Sequence, residues 1–253
     1  MKELEEEKKF LDKVYSTYTV DHSGQSKVMR ELVVKTFSPF LKGGKVLELG
    51  CSDGYMTEMI SKSVDSIDVI DGSELFLNKA KERANTLKLT NVNFSFSLFE
   101  EFETTQKYDY VIASYILEHV LDPIQVMKMA HKVLKDDGLL FIIVPNANAL
   151  SRQLAMHMGY YTNLKELTQN DINHGHRRVY DRVDLNRDIN KSNFQNISQG
   201  GIMLKILADF QMDKLIENEI LGKEQIDGLY KLGMEYPDLC GSLFSICRKI
   251  RIE

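Results

Sequence analysis

Short apolar runs alternate with longer amphipathic stretches from the amino-terminal part of the chain to about Asn146. The short runs are rich in β-branched residues and predict strands at 45–49, 66–70, 92–96, 108–113 and 138–144. The stretches between them have helical spacing, with start signals at Ser73 and at Asp122 and Pro123, and they predict helices at 54–61, 74–87 and 124–134. This alternation predicts a parallel sheet covered by crossover helices.

The second half of the chain has a less regular pattern. Residues 145–180 mix aromatic, His, Asn and Arg side chains without a clean period, which is typical of an insert near a ligand or of a surface loop region. Beyond it the pattern predicts a helix at 181–191, a strand at 195–199, two helical stretches between 202 and 236, and a last strand at 242–249.

Composition limits the classes of protein to be considered. The 253 residues, 43% of them hydrophobic, suffice for one large α/β domain that folds alone. A net charge of −5 without a long Lys/Arg run argues against a nucleic-acid partner and favours a small molecule. Neither a membrane-spanning run nor the apolar core of a signal peptide is evident, so we expect a soluble cytoplasmic protein without a membrane partner.

The three cysteines and the histidines do not form a metal or disulfide pattern. No CxxC pair occurs, and we expect reduced thiols. His174 and His176 stand two residues apart with no matched acidic ligand, so the sequence predicts no metal site.

The stretch "VLELGCSDG" ends the first predicted strand in a turn of small residues, which lets a ligand approach the backbone at the carboxyl ends of the strands. A dinucleotide loop needs a small residue at position 55, where this chain has Tyr. The spacing acidic-x-G-x-S-x-G instead follows the methyltransferase form of such a loop, with Glu48, Gly50, Ser52 and Gly54 at the four positions.

Asp71 ends the second predicted strand, 17 residues beyond Gly54. A carboxylate at that place can accept hydrogen bonds from both ribose hydroxyls of a nucleoside. The alternative is a turn residue before Gly72, and the glycine loop nearby makes the ribose interpretation the stronger one.

Four short stretches of the sequence occur in the same order as in class I S-adenosylmethionine-dependent methyltransferases: "LELGCSDG", "VIDGSE", "YDYVIASYILEHVLDP" and "VLKDDGLLFIIVPN". The chain resembles that family over roughly residues 40–146 and the closing strands. Within the family it is similar to small-molecule enzymes of natural-product and surface-polysaccharide pathways, in which "LEHV" precedes an Asp-Pro pair and "GHRRVY" precedes the next helix. The resemblance implies an α/β fold with a Rossmann-like seven-stranded, mostly parallel sheet flanked by helices, a C-terminal antiparallel strand and a helical insert. It also implies an amino-terminal helical lid over 1–44 and a methyltransferase domain over 45–253, with substrate-side inserts near 146–180 and 202–240.

The resemblance assigns S-adenosyl-L-methionine as the cofactor and gives roles to individual positions. Glu48 would orient the loop, the Gly50 and Cys51 backbone would meet the methionine end, Asp71 would take the ribose, and Ser114 would lie beside the methionine amino group. An Asp that relatives often carry for the adenine amino group is replaced by Leu98 and Phe99, with Glu100 next, so adenine recognition is expected to rest on backbone groups and apolar packing. The remaining predicted cofactor contacts are Ser52, Gly54, Gly72 and Arg30.

Methyl transfer is an in-line displacement at a sulfonium methyl, and a hydroxyl or protonated amine acceptor needs a base. Candidate bases are His119, His174 and His176, because histidine can be neutral near pH 7. His119 is expected to begin the helix after the fourth strand, and the alternative is a histidine bonded only to backbone. Phosphobase methyltransferases, which this stretch also resembles, pair a histidine near this position with a tyrosine of the amino-terminal helix. Tyr15 and Tyr18 are the candidates for that tyrosine.

The amino-terminal segment offers further contacts from the lid, with Tyr18, His22 and Arg30 able to reach the methionine carboxylate or the acceptor. The alternative is a solvated amphipathic helix that packs through Val28, Leu32 and Val33. In "NDINHGHRRVYDR" the guanidinium groups of Arg177 and Arg178 suit a phosphate or carboxylate, which favours an anionic acceptor. The alternative is a basic surface turn. The full set of predicted acceptor contacts is Tyr15, His22, Tyr115, Asn146, His174, Arg177 and Arg178, with His119, Tyr18 and His176 as the catalytic candidates.

The resulting functional hypothesis is methyl transfer to oxygen of a small anionic metabolite destined for a surface polysaccharide or secondary metabolite. Nitrogen of a sugar nucleotide or other small molecule is an alternative acceptor atom. A non-catalytic cofactor-binding module and an RNA or protein methyltransferase are alternatives of another class. Against the RNA enzyme stand the acidic charge and the lack of an Asn-Pro-Pro-Tyr-like segment after the fourth strand, where "ASYILEH" stands. The sequence makes no prediction of oligomeric state.

Overall fold

The computed structural model describes residues 2–17 and 24–250. The strands of the described residues are β1 (Lys45–Leu49), β2 (Ser66–Asp71), β3 (Val92–Phe96), β4 (Tyr108–Ser114), β5 (Leu134–Pro145), β6 (Phe194–Ile202) and β7 (Ser242–Lys249). Their helices are α1 (Lys2–Thr17), α2 (Gly24–Phe37), α3 (Tyr55–Ser61), α4 (Glu74–Thr86), α5 (Pro123–Val133), α6 (Leu150–His157), α7 (Gln169–Asn173), α8 (Arg182–Lys191), α9 (Asp209–Glu217) and α10 (Lys223–Glu235).

The strands form a single sheet in the order β3-β2-β1-β4-β5-β7-β6. All neighbouring pairs from β3 to β5 are parallel, whereas β7 runs antiparallel to both β5 and β6. The predicted seven-stranded, mostly parallel α/β fold with an antiparallel C-terminal strand is confirmed. From β1 the chain first adds β2 and β3 on one side and then crosses back to add β4 and β5 on the other side. The strand order therefore reverses between β1 and β4, and the carboxyl ends of these two strands border the crevice where such sheets bind ligands.

Two strands are longer in the structure than the ranges that the sequence predicts. β5 begins at Leu134, not at 138, and Leu134 pairs with Tyr108 across an irregularity in the ladder. The exposed charged residues 135–137 hide this part of the strand from an apolar pattern. β6 extends to 194–202 because its whole length pairs with β7.

Side chains alternate between the two faces of the central strands. In β1, Val46 belongs to the apolar layer that includes Leu32 and Val33 of α2, whereas Leu47 belongs to the opposite layer with Val126 of α5. The predicted packing of α2 through Leu32 and Val33 is present, with Val28 partly buried beside them. The sheet is thus covered on both faces, which leaves its strand ends as the place for a site.

The predicted N-cap residues lie at the starts of α4 and α5. The Asp122 carboxylate accepts hydrogen bonds from the backbone of Ile124 and Gln125, and Pro123 occupies the first turn of α5. The Ser73 hydroxyl caps α4 through the Phe76 N–H. Within the described part of the chain, every helix is too short or too polar to cross a bilayer.

Candidate functional site

The loop between β1 and α3 has the backbone that its small residues predict. Gly50, Ser52 and Gly54 have φ angles of 72°, 47° and 76°, all in the left-handed region. A Cβ on Gly54 would lie 3.0 Å from the Ala80 Cα of α4, so a side chain at this position would push the loop away from the helix. The loop can therefore pass close beneath a ligand.

The buried carboxylate of Asp71 ties this loop to the end of β2. Its Oδ2 accepts a hydrogen bond from the Cys51 N–H at 3.0 Å, and its Oδ1 accepts one from the Ser73 N–H at 2.9 Å. Burial raises the pKa of Asp71 in spite of these bonds. Because each carboxylate oxygen has two lone pairs, the group keeps acceptor capacity for ribose hydroxyls. That role stays a prediction.

Glu48 lies under the loop and makes its contact with α3. Its Oε2 accepts a hydrogen bond from the Thr57 hydroxyl at 2.7 Å, and burial raises its pKa to about 8. The contact joins β1 to the helix after the loop and fits the predicted orienting role. The neighbouring Cys51 thiol is buried, and burial together with the Asp71 and Glu48 carboxylates raises its pKa well above the ordinary value, which keeps it unreactive.

Asp53 is a loop residue to which the sequence analysis gave no role. Its carboxylate is buried and forms two ion pairs. Oδ1 lies 2.8 Å from Nη1 of Arg30 in α2, and Oδ2 lies 3.1 Å from Nη2 of Arg83 in α4. The loop is thereby fixed between two helices. Arg30 stands at the loop as expected, with its guanidinium engaged by Asp53, and its contact with a methionine carboxylate stays a prediction.

Apolar side chains converge over the strand ends on the adenosine side. Methyl groups of Leu11 in α1 and of Leu98 each lie 2.7 Å from the point where a Cβ on Gly72 would stand. Ile116 lies directly over Gly50, with the Phe99 ring next to it. Leu98 and Phe99 are therefore beside the loop, as an apolar adenine pocket requires, and Glu100 next to them is half-buried with its pKa raised by burial.

Helix α1 makes polar contacts with two loops at these strand ends. Glu7 pairs with Arg177 at 2.7 Å, and Asp12 accepts a hydrogen bond from the Ser73 hydroxyl at 3.3 Å. The Tyr15 ring packs edge-on against Phe76 of α4, with ring centroids 4.9 Å apart. Tyr15 is thus placed beside α4, and its pairing with a histidine stays a prediction.

Two predicted residues of the same segment, Tyr18 and His22, lie outside the described residues.

Ser114 and Tyr115 end β4 beside the loop. The Ser114 hydroxyl donates to the Met56 sulfur at 3.4 Å. Tyr115 has a φ of 56°, which is unusual for an aromatic residue, and its hydroxyl shares a hydrogen bond with that of Ser242 at 2.9 Å. Strained backbone of this kind concentrates at functional sites.

His119 lies in a turn at 117–119 and not at the start of a helix, because Asp122 and Pro123 open α5 four residues later. Its ring stands edge-on to that of His176, with centroids 4.8 Å apart. Burial, helped by the charge of His176, lowers the pKa of His119 to about 3, so its imidazole is neutral at pH 7. The structure brings together two of the three predicted catalytic residues.

Glu118 is fully buried next to this histidine pair. Neither carboxylate oxygen has a hydrogen-bond partner among the residues that the structure describes, and the His119 Nε2 is 4.0 Å from Oε1, too far for a hydrogen bond. Burial raises the pKa of Glu118 to about 7. The sequence motif "LEHV" contained this residue, but adjacency in sequence gave no sign that His176 would join it.

His176 is held by Asp171 of α7. The His176 Nδ1 is 3.1 Å from the Asp171 Oδ1, while the other carboxylate oxygen takes the Thr168 N–H at 2.9 Å and the Arg152 guanidinium at 3.1 Å. Against the effect of burial, these bonds lower the pKa of Asp171. The carboxylate stays charged and fixes the orientation of the imidazole ring.

Besides Tyr115, four predicted acceptor contacts have polar partners inside the protein. Arg178 donates to the backbone carbonyls of Leu117, Val120 and Leu121, and Arg177 donates to the His119 carbonyl as well as to Glu7. These arginines hold the turn that carries Glu118 and His119, in place of a solvated basic surface turn.

The other two are Asn146 and His174. Asn146 is buried, and its amide nitrogen donates to the carbonyls of Asp238 and Cys240, each at 2.8 Å, which joins the end of β5 to the segment before β7. The His174 Nδ1 lies 2.9 Å from the Asn170 carbonyl. Contacts of these side chains with an acceptor stay predictions.

Comparisons with known proteins agree with this arrangement. The family model described as a methyltransferase domain matches residues 21–199. A ubiquinone biosynthesis O-methyltransferase of Coxiella burnetii is 32% identical over 109 residues, which are 43% of this chain and 46% of that protein. The chain spans about half the length of the curated relatives it matches.

Two solved structures show a similar fold. The N-methyltransferase NodS from Bradyrhizobium japonicum in complex with S-adenosyl-L-homocysteine superimposes with a TM-score of 0.59 at 12% identity over 92% of each chain. Phosphoethanolamine N-methyltransferase 2 of Haemonchus contortus, in complex with S-adenosyl-L-methionine, gives a TM-score of 0.60 at 17% identity over 88% of this chain and 52% of that chain. Family match, sheet order and glycine loop agree, and the chain belongs to the class I S-adenosylmethionine-dependent methyltransferases.

Proposed function

We propose that the protein transfers the methyl group of S-adenosylmethionine to an oxygen atom of a small-molecule acceptor. The observation that carries the proposal is the cluster of Glu118, His119 and His176 just beyond Ser114, on the side of the crevice next to the cofactor loop. The Coxiella burnetii relative is an O-methyltransferase, which supports oxygen as the acceptor atom.

The reaction requires the acceptor oxygen to lie in line with the methyl carbon and the sulfur. The oxygen lone pair forms the new bond to the methyl carbon as the carbon–sulfur bond breaks. The electron pair of the broken bond stays on sulfur in S-adenosylhomocysteine, and the hydroxyl proton is released to water. Because the pKa of His119 is about 3, this imidazole accepts a hydrogen bond from an acceptor hydroxyl but holds its proton poorly. Positioning, and not proton storage, is the role we assign to His119.

The charge of the acceptor is a separate question from its hydroxyl group. Arg177 and Arg178, which suggested an anion, bond to Glu7 and to backbone carbonyls. We retain a small hydroxyl compound as the acceptor class, and a phosphate or carboxylate on it as a secondary hypothesis. A place in surface-polysaccharide modification is supported only by the sequence resemblance.

We also propose that α1 acts as the lid over the cofactor. Leu11 of this helix reaches the Gly72 face of the adenosine side, and Glu7 reaches Arg177 on the acceptor side. One helix thus contacts both halves of the site. Entry of a nucleoside between Leu11 and Leu98 requires the helix to move outward.

Calorimetry with S-adenosylmethionine, with NADH and ATP as controls, tests the cofactor. The acceptor atom is tested by incubating the protein with isotopically labelled S-adenosylmethionine and a size-filtered bacterial extract, followed by NMR. We expect labelled O-methyl resonances, since these differ in chemical shift from N-methyl resonances. Labelled N-methyl products alone would assign nitrogen in place of oxygen, and an absence of cofactor binding would contradict the function as a whole.

A further inference from the structure

The side chains of Glu118, His119 and His176 form a compact group of potential metal ligands. One ligand atom from each lies within 4.8 Å of the others. Ligands bound to one cation at about 2.1 Å stand roughly 3.4 Å apart in tetrahedral geometry and at most about 4.2 Å apart. Closing the group around a cation therefore needs a contraction of about 0.6–1.4 Å by side-chain rotation.

The second observation is the buried carboxylate without a partner. Glu118 has no solvent exposure, and both of its oxygens lack a hydrogen-bond partner among the described residues. A buried carboxyl group in that state is costly, whether it is charged and unpaired or neutral and unbonded. A cation between the carboxylate and the two histidines would satisfy it.

The surroundings of the histidines complete the resemblance to a metal centre. The Asp171 carboxylate binds the Nδ1 side of His176, which directs Nε2 of that ring away from Asp171, and Thr168 and Arg152 hold Asp171 in turn. Metal-bound histidines commonly use their second nitrogen for a carboxylate in this way. The His119 ring makes a hydrogen bond with the Gly175 backbone.

We propose that Glu118, His119 and His176 bind a divalent transition-metal cation. Two imidazole nitrogens and one carboxylate are a donor set preferred by Zn²⁺, Fe²⁺ and Co²⁺, whereas Mg²⁺ prefers oxygen ligands alone. The sequence predicted no metal because the acidic ligand stands 58 positions before His176 and becomes a neighbour only in the folded chain.

The role of the cation rests on the proposed O-methylation. With the cation bound, the His119 lone pair coordinates the metal, and the cation positions the acceptor oxygen in place of a direct hydrogen bond to His119. Three protein ligands leave coordination positions for that oxygen. A cation bound to that oxygen lowers the pKa of its O–H group, and the proton leaves to bulk water. The oxygen then attacks the methyl carbon as the carbon–sulfur bond breaks toward sulfur. The acceptor class is therefore a hydroxyl compound able to coordinate a metal.

Metal binding is tested without any enzyme assay. The full-length protein is freed of metal by dialysis against EDTA and titrated with CoCl₂, followed by visible absorption, and with ZnCl₂, followed by calorimetry. We expect one cation per chain with the absorption of cobalt bound to nitrogen and oxygen ligands, and much weaker binding of MgCl₂. No cobalt spectrum and no heat from zinc in the wild-type protein would overturn the proposal.

Variants assign the site. Glu118→Gln and His176→Asn should each abolish the cobalt spectrum, and Asp171→Asn should weaken binding by about 10–100-fold through loss of ring orientation. His174→Ala is the matched control, because this histidine lies next to His176 but outside the group. Cobalt binding that persists in both ligand variants would overturn the assignment, and circular dichroism verifies that each variant folds.

Calorimetry with S-adenosylmethionine on the same samples separates the two proposals. Cofactor binding without metal binding would remove the metal site and leave the methyltransferase function. Metal binding without binding of S-adenosylmethionine would retain the metal site and contradict the methyltransferase function.

Discussion

At the scale of single residues, the buried carboxylates explain how a loop of small residues is held open for a nucleoside. Asp71 accepts the Cys51 and Ser73 amides, Glu48 accepts the Thr57 hydroxyl, and Asp53 accepts two guanidinium groups. The loop has no regular backbone hydrogen-bond pattern, because Gly50, Ser52 and Gly54 are in left-handed conformations, and these carboxylates supply hydrogen bonds that hold it in place.

Asp71→Asn is therefore expected to weaken the binding of S-adenosylmethionine by about 1.5–3 kcal/mol, since charge-assisted hydrogen bonds to ribose are lost. Calorimetry measures the change. Asp137→Asn, an exposed aspartate near the opposite end of the sheet, is the control and should bind as the wild type does. Equal affinity of the Asp71 variant and the control would exclude a ribose contact.

At the scale of elements, the described residues of α1 are attached to the rest of the protein through side chains. The Glu7–Arg177 pair is partly buried, and the Arg177 guanidinium also stacks over the Phe10 ring at 4.5 Å. The lid role proposed for α1 requires the helix to open, and attachment through side chains allows opening without unfolding of the sheet.

Glu7→Gln is expected to loosen α1, because a two-oxygen contact with Arg177 becomes a neutral one. Faster hydrogen exchange of the backbone amides of residues 8–15 measures this loosening. Glu6→Gln, one position away and exposed, is the matched control and should leave exchange unchanged. Identical exchange in the two variants would show that the ion pair does not hold the helix. With cofactor present, we expect faster dissociation of S-adenosylmethionine from the Glu7 variant in stopped-flow experiments.

At the scale of the whole molecule, the buried acids predict how stability changes with pH. The pKa of Glu48 is raised to about 8 in the folded protein from 4.5, and that of Asp71 is raised as well. Between the two values for Glu48 the folded state binds a proton that the unfolded state has released. The contribution of Glu48 to the free energy of unfolding therefore falls as pH rises through this range.

Urea unfolding at about pH 5 and about pH 8 checks the sign. Glu48→Gln keeps an acceptor for Thr57 without a charge, so we expect it to remove part of this fall, roughly 1–4 kcal/mol at the higher pH. The exposed Glu82→Gln is the control and should keep the wild-type slope. A pH slope of the Glu48 variant equal to that of the wild type would contradict the buried, protonated state of Glu48.

The sequence by itself determined the layout of this protein. Alternating strand and helix periods predicted the α/β sheet, and the spacing of Glu48, Gly50, Ser52 and Gly54 predicted the cofactor loop. These features follow from local backbone preferences and from apolar faces that repeat along the chain, so a linear sequence carries them in full. For the same reason β5 was predicted too short, since the charged residues 135–137 separate the paired Leu134 from the apolar part of the strand.

Only the tertiary structure decided which polar groups meet. Arg177 and Arg178 looked like anion ligands in the sequence, but they bond to Glu7 and to the turn that carries His119. Glu118 and His176 come together because β4 and the segment after α7 end at the same edge of the fold. A polar side chain has no period that reveals its partner, and the free energy of its burial depends on atoms contributed by distant parts of the chain. The sequence therefore fixes the kind of cofactor site, whereas folding decides its chemistry.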